Sequence, residues 1–422
     1  MDDATAPGAA FHVPEGEDAV CIVGFARTPI GGFQGALAGV PAPALGAAAL
    51  RAALDRSGPI DAAHVDEVFV GHVLGAGVGQ APTKQAALGA GVSDSVPCTG
   101  VNKVCASGMK ALALGTMSVA MGCNRVVLVG GMESMTMCPY LVPRGLRMGE
   151  QRLKDGMVSD GLWDPYGNQH MGACAELCAR THGFSREEQD AFCAESYRRA
   201  RAASQPHGPF AREIVAVKGK RGKLVDYDEE PRRSGGSAEQ LRKLRPAFAM
   251  RNEAGTVTAG NASTISDGAA GMVICSASAA SRLGAPPLAW VRACADAAQK
   301  PELFTTAPAL AIPKALAAAG WAVEDVDCWE INEAFSVVVM ANIKLLGLDP
   351  AKVNVLGGAA AIGHPIGASG LRIVGTLISA LRHVGGTRGV AAICNGGGGA
   401  SAVCIELDDT AGRGGAAVRA RL

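Results

Sequence analysis

Cys105-Ala-Ser-Gly-Met-Lys-Ala-Leu-Ala-Leu114 and Gly367-Ala-Ser-Gly-Leu-Arg-Ile-Val-Gly375 are two copies of one pattern. Each opens a helix, and each helix leads to an apolar strand and a glycine cluster. The first strand runs over 125–129 into Gly130-Gly131, the second over 389–394 into Gly396–Gly399. The shared Ala-Ser-Gly-(Met/Leu)-(Lys/Arg) sets Ser107 against Ser369 and Gly108 against Gly370. Because the downstream order matches as well as the residues, the two stretches indicate an internal duplication whose helix starts face each other. Outward from this repeat, 19–24 reads as a buried strand, 42–56 has helical spacing, and 67–71 is a further strand. Short strands alternating with longer helices predict an α/β sheet.

Between the copies the chain changes character. From 135 to 264 it is charged and loop-like, with one clear helix over 186–202. Between Arg212 and Arg251, eleven basic residues face six acidic ones, a local +5. That excess reads either as a solvated face or as a cap that meets the phosphates of a nucleotide-like ligand. The expected organisation is a disordered extension over 1–18, a first half over 19–134 and 265–284, an insertion over 135–264, a second half over 285–408, and a flexible tail over 409–422.

Composition narrows the classes. The 422 residues are 48% hydrophobic but only 4% aromatic, with 56 glycines, which favours close helix–sheet packing by small residues. Lys+Arg and Asp+Glu are both 39, whereas a dedicated nucleic-acid binder carries a basic excess. The 13 cysteines are odd in number and scattered through apolar segments, so a reducing, cytoplasmic location is expected rather than a disulfide framework. Cys174 and Cys178, near His170, lack metal-ligand spacing and read as small residues facing a core. No apolar run reaches the ~18 residues of a membrane span, and the acidic first nineteen residues are unlike a targeting segment.

Several residues have the chemistry of a site. Cys105 sits at a glycine-bearing turn into a helix, where unpaired N–H groups and the helix dipole favour the thiolate. His364, in Gly357-Gly-Ala-Ala-Ala-Ile-Gly-His-Pro-Ile-Gly367, falls opposite Asn102 in the repeat, three residues before the position of Cys105. The duplication therefore brings Cys105 and His364 together, and a cysteine beside an imidazole is the minimal activated nucleophile. Cys394 ends a strand and enters Asn395-Gly-Gly-Gly-Gly399, a loop whose backbone can approach a substrate closely. A second cysteine there suits acid/base work at a carbon-bound proton. Asn332, in Asn332-Glu-Ala-Phe335, can hold a water or a carbonyl oxygen, or simply form a turn.

Four motifs together resemble those of the thiolase family. They are Val101-Asn-Lys-Val-Cys-Ala-Ser-Gly-Met-Lys-Ala111, Asn332-Glu-Ala-Phe335, Gly363-His-Pro-Ile-Gly367 and Cys394-Asn-Gly-Gly-Gly398, in the family's order and spacing. The resemblance implies a five-layered α/β/α/β/α core from two similar halves with an inserted loop domain that binds CoA. It implies that His364 helps deprotonate Cys105, which takes the acyl group, and that Cys394 handles the proton on carbon. One oxyanion hole would combine His364 with a water held by Asn332; the other would use the N–H groups of Cys105 and Gly396. Within the family, His170-Met171-Gly172, Asp296-Ala-Ala298 and the stretch from Asn332 to Lys344 look most like short-chain acetoacetyl-CoA thiolases of the mitochondrial type. That likeness implies acyl-CoA and CoA as partners, no tightly bound cofactor, and a dimer or tetramer. It also implies CoA or acyl contacts at Tyr197, Arg233, Ser263, His170, Met171 and Phe304, with Phe304-Thr305 standing where that subgroup has Phe-Pro. Potassium would be held by Tyr197, Ala259, Gly260, Ala262 and Ala360. The rival readings are a longer-chain degradative thiolase and a catalytically silent, thiolase-like lipid-binding protein. A β-ketoacyl synthase of the same fold ranks low, because such enzymes have histidine where Asn332 and Cys394 stand.

Overall fold

The computed structural model describes residues 10–145, 147–233, 235–248 and 254–408. Its first half contains strands Ala10–His12 (β1), Val20–Arg27 (β2), Glu67–Gly71 (β3), Cys98–Val101 (β4), Val126–Ser134 (β5) and Ser266–Ser276 (β6), with helices Ala42–Arg56 (α1), Pro82–Gly89 (α2) and Ser107–Ala120 (α3). Helices Met171–His182 (α4) and Arg186–Ala203 (α5) lie in the long segment between β5 and β6. The second half contains strands Ala289–Ala298 (β7), Cys328–Ile331 (β8), Arg388–Asn395 (β9) and Gly399–Leu407 (β10). Its helices are Pro308–Ala319 (α6), Ser336–Leu346 (α7), Ala359–Ile362 (α8) and Ile366–Val384 (α9).

The two halves share one topology. Strands run β2-β6-β5-β3-β4 across the first and β7-β10-β9-β8 across the second. Val353, bridging Trp329 in parallel, stands where the second half would have its fifth strand. Relative directions match as well: β3 is parallel to β5 as β8 is to β9, while β6 and β10 are antiparallel to their neighbours. Helices α3 and α9 pack together between the halves, α1 and α2 cover the first sheet from outside, and α6 covers the second. These are the five expected layers, with one addition. Val20–Ile22 of β2 pairs with Ala289–Val291 of β7, so the two sheets are one continuous sheet across a three-residue seam.

Every residue of β2, β5 and β6 is buried, because helices cover both faces and such strands carry continuous apolar runs. Small residues let the layers approach: a Cβ on Gly271 of β6 would stand 2.7 Å from the Ala49 backbone of α1. The expected helix over 186–202 is α5, started by a capping box in which Ser185 and Glu188 satisfy each other's backbone N–H groups. Arg27, fully buried, fastens the long inserted segment to the core. Its guanidinium bonds Glu213 at 2.6 Å and both oxygens of Asp228 at 2.7 and 2.8 Å.

One expectation is corrected. Residues 10–18 are not a disordered extension: Ala10–His12 pairs with Ala293–Ala295 of β7. Val13 continues the ladder to the Arg292 carbonyl at 3.1 Å, and Phe11 packs on the central core. A single aromatic anchor and an open strand edge outweigh the polar composition around them. The rest of that extension and the tail over 409–422 lie outside the described residues. Among the described residues no helix is long and apolar enough to cross a membrane.

Candidate active site

The starts of α3 and α9 meet at their aligned glycines. A Cβ on Gly370 would stand 2.6 Å from the Met109 nitrogen, and one on Gly108 would stand 3.0 Å from the Gly367 oxygen. A side chain at Gly370 would run into the facing backbone, and one at Gly108 would crowd it, so the crossing is tightest with glycine in both copies. Cys105 was expected to begin α3, but the helix begins at Ser107. The cysteine instead follows Val104, whose φ of +47° is left-handed, a conformation that costs a β-branched residue roughly 1–3 kcal/mol. The turn is held by Lys103 N–H donating to Ser107 Oγ at 2.9 Å, by Ser107 Oγ donating to the Val104 carbonyl, and by Asn102 Oδ1 accepting from Val104 N–H at 3.0 Å.

This placement also corrects the expected thiolate. Burial pushes the Cys105 thiol up to about 11, although the Gly396 N–H and its own N–H pull it back toward ionisation. His364 is buried among apolar groups and near the Arg372 charge, which brings its imidazole down to about 3. Ser369 Oγ lies 2.6 Å from His364 Nδ1 and 3.0 Å from the Pro365 carbonyl. A hydroxyl has one proton, so the assignment that satisfies both contacts gives it to the carbonyl and leaves Nδ1 as the donor to Oγ. Nε2 is then the free lone pair, 3.5 Å from Asn332 Nδ2. Asn332 Oδ1 is buried without a protein partner. Cys394 is buried in the apolar cluster of Met171, Phe304 and Phe335, and burial first, then nearby Cys105, raises its thiol well above the ordinary value.

A cleft of about 380 Å³ gathers these groups. Cys105, His364 and Gly396 line it together with the predicted His170, Met171, Arg233, Ala259, Ala262, Ser263 and Phe304. Its apolar wall is organised by His170 stacked on Phe248 at 4.7 Å and by Phe248 edge-on to Phe335 at 6.2 Å. Asn332 and Cys394 do not line the cleft: Asn332 packs against His364, and Cys394 lies close enough to Cys105 to feel its charge. Tyr197, Gly260 and Ala360 are also off its surface. Tyr197 and Ala360 belong to the central core cluster, and the Gly260 carbonyl accepts the Cys193 thiol at 2.9 Å. The basic stretch does not converge on the cleft either. Arg233 lines it, tied to Glu229 and Glu230 at 2.8 and 2.7 Å. Arg212 lines a separate cavity, Lys243 pairs with Glu239, and Arg251 lies outside the described residues.

Sequence reasoning missed two supports. Ser369 was aligned with Ser107 without a role, and its bond to His364 follows from the offset that places His364 at the foot of α9. Glu133, fully buried after the Gly130-Gly131 pair, accepts from the Val73, Leu74 and Gly367 N–H groups at 3.1, 3.2 and 3.0 Å. It pins the start of α9 to the first half, and an acid inside an apolar strand was the available signal.

Residues 20–278 match the description Thiolase, N-terminal domain, and residues 285–407 match Thiolase, C-terminal domain. The chain belongs to the thiolase family. This thiolase is 54% identical to Acetyl-CoA acetyltransferase 2 of Arabidopsis thaliana over 92% of the chain and 97% of that protein. It is 51% identical to the mitochondrial acetyl-CoA acetyltransferase of Mus musculus, over 92% and 91%. Among solved structures, the Acat5 thiolase of Ascaris suum in complex with coenzyme A aligns with a TM-score of 0.88 at 42% identity, covering 92% of this thiolase and 100% of that chain. The acetyl-CoA acetyltransferase of Syntrophomonas wolfei aligns with the same TM-score at 38% identity, over 92% and 99%.

Proposed function

We propose that this thiolase is an acetyl-CoA C-acetyltransferase, catalysing reversible thiolysis of acetoacetyl-CoA through an acetyl-Cys105 intermediate. The observation that carries the reading is the junction of Cys105, the Gly396 N–H and the unprotonated His364 at one apolar cleft. With the thiol high and the imidazole low, the resting pair is neutral. Proton transfer from Cys105 to His364 therefore accompanies attack, when negative charge passes to the substrate carbonyl oxygen. The N–H groups of Cys105 and Gly396 receive that oxygen, and preorganised donors in a dry site stabilise it most. The carbon–carbon bond then breaks, and the departing acetyl-CoA enolate, its oxygen facing His364 and a water held by Asn332, takes a proton from Cys394. The CoA thiol gives its proton back to Cys394, and its sulfur takes the acetyl group from Cys105, whose released sulfur recovers its proton from His364. Splitting the transfer this way predicts ping-pong kinetics.

The CoA and acyl positions Arg233, Ser263, His170, Met171 and Phe304 all line the cleft, and Tyr197 acts from behind it. For potassium, Tyr197, Ala360 and the carbonyls of Ala259, Gly260 and Ala262 supply neutral oxygens without a carboxylate, which suits a hard cation of low charge. Such an ion would add fixed positive charge near the CoA. The reading also expects a reducing, cytoplasmic location, with cell fractionation as its test, and a dimer or tetramer, with sedimentation as its test.

The deciding measurement is the CoA-dependent loss of acetoacetyl-CoA enolate absorbance, with and without potassium, beside a long-chain 3-ketoacyl-CoA. Rapid loss of the short substrate alone is expected, together with no acyl-enzyme in Cys105→Ala. Turnover confined to the long substrate would move the chain to the degradative thiolases, and turnover of neither would leave the silent binding protein.

A further inference from the structure

Lys103, two residues before Cys105, reaches away from the cleft. Its ammonium donates to Asp296 Oδ1 at 2.5 Å, to Ser401 Oγ at 2.9 Å and to the Ala400 carbonyl at 3.2 Å. Ser401 Oγ donates in turn to the same Asp296 oxygen at 2.6 Å, and Lys110 holds the other carboxylate oxygen at 2.7 Å. Asp296 of β7 and Ser401 of β10 are register partners, so the ring of bonds is anchored on two adjacent strands. Ala400 is the register partner of Cys394 across the β9–β10 hairpin, and Gly396 lies in the tip of that hairpin. Lys110, Asp296 and Ser401 line a cavity of about 180 Å³ that shares no lining residue with the cleft.

We propose that Lys103 and Asp296 are positioning residues that clamp the strained Cys105 turn to the β9–β10 hairpin, fixing the sulfur against the Gly396 N–H. The turn needs such a hold because Val104 occupies a left-handed conformation, which persists only where the surroundings over-determine it. The other side chains that hold the turn belong to the first half: Ser107 acts within it, and Asn102 also reaches the Val73 carbonyl at 3.5 Å. Burial pushes the Asp296 carboxyl up, yet Lys103, Lys110 and Ser401 outweigh it and hold the group below its ordinary value, while burial draws the Lys103 ammonium below its own.

The inference rests on the proposed function for its kinetic readout and on direct chemistry at Cys105 for an independent one. Lys103→Met and Asp296→Asn are compared with the milder Ser401→Ala in full-length protein. Thiolysis kcat is expected to fall about 100-fold in the first two, the scale of a 1 Å misplacement, with KM for CoA within about twofold. In the free enzyme, iodoacetamide alkylation of the Cys105 peptide, followed by mass, should slow and shift its pH midpoint upward as the Gly396 N–H loses the sulfur. Ser401→Ala should move both readouts part of the way. A lowered melting temperature with unchanged kcat and alkylation profile would overturn the clamp, as would an effect confined to KM. If the parent enzyme turns over no 3-ketoacyl-CoA, the proposed function fails while the alkylation shift still decides the clamp.

Discussion

His364 shows how burial sets chemistry at a single residue. Its folded value of about 3 lies below the ordinary 6.5, so between those values the unfolded chain binds a proton that the folded chain does not. Stability therefore falls as pH drops through that window, by up to about 1.4 kcal/mol per unit. Urea unfolding from about pH 7 to pH 5 should show a steeper loss for the wild type than for His364→Asn. Equal slopes would mean that His364 is not held neutral. That Cys105 and His364 line one cleft was legible, because the repeat offset alone sets one helix start against the other. The direction of the Cys105 shift was not, since it depends on a turn two residues longer than expected and on walls such as Phe248 and Phe335 from distant segments. Ser369 and Glu133 were hidden for the same reason: their partners are set by packing rather than by spacing.

Among the elements, apolar periodicity served best where an element has one buried face or sits wholly in the core. Helix α1 and strand β3 run over 42–56 and 67–71 as their residues predict. Strand β2 runs three residues past Gly24 to Arg27, because the Arg27 charge is hidden by Glu213 and Asp228, far along the chain. The crossing of α3 and α9 makes a sharper prediction. Gly370→Ala places a methyl 2.6 Å from the Met109 nitrogen, and backbone cannot yield as a flexible side chain can. The helix starts must separate, costing about 1–3 kcal/mol of stability and moving Ser369 with His364. Urea midpoints and thiolysis rates should fall together. A stable variant with full activity would show that the crossing can relax.

For the molecule as a whole, the duplication governs both architecture and chemistry, since Cys105 comes from the first half and His364, Cys394 and Gly396 from the second. The inserted segment is tied to this frame by buried charge. Arg27→Met would leave Glu213 and Asp228 buried without their cation, a loss of about 3–5 kcal/mol measurable by denaturant unfolding. A change under about 1 kcal/mol would mean that the segment is held by packing instead. Strand β6 lies between β2 and β5 and pairs with both, yet it is translated more than a hundred residues after β5. A nascent chain therefore emerges from the ribosome with two largely apolar strands, each having an edge without its neighbour until Ser266–Ser276 arrives. Such edges invite pairing with other chains, so the yield of this protein in a cell depends on shielding the unfinished first sheet during synthesis.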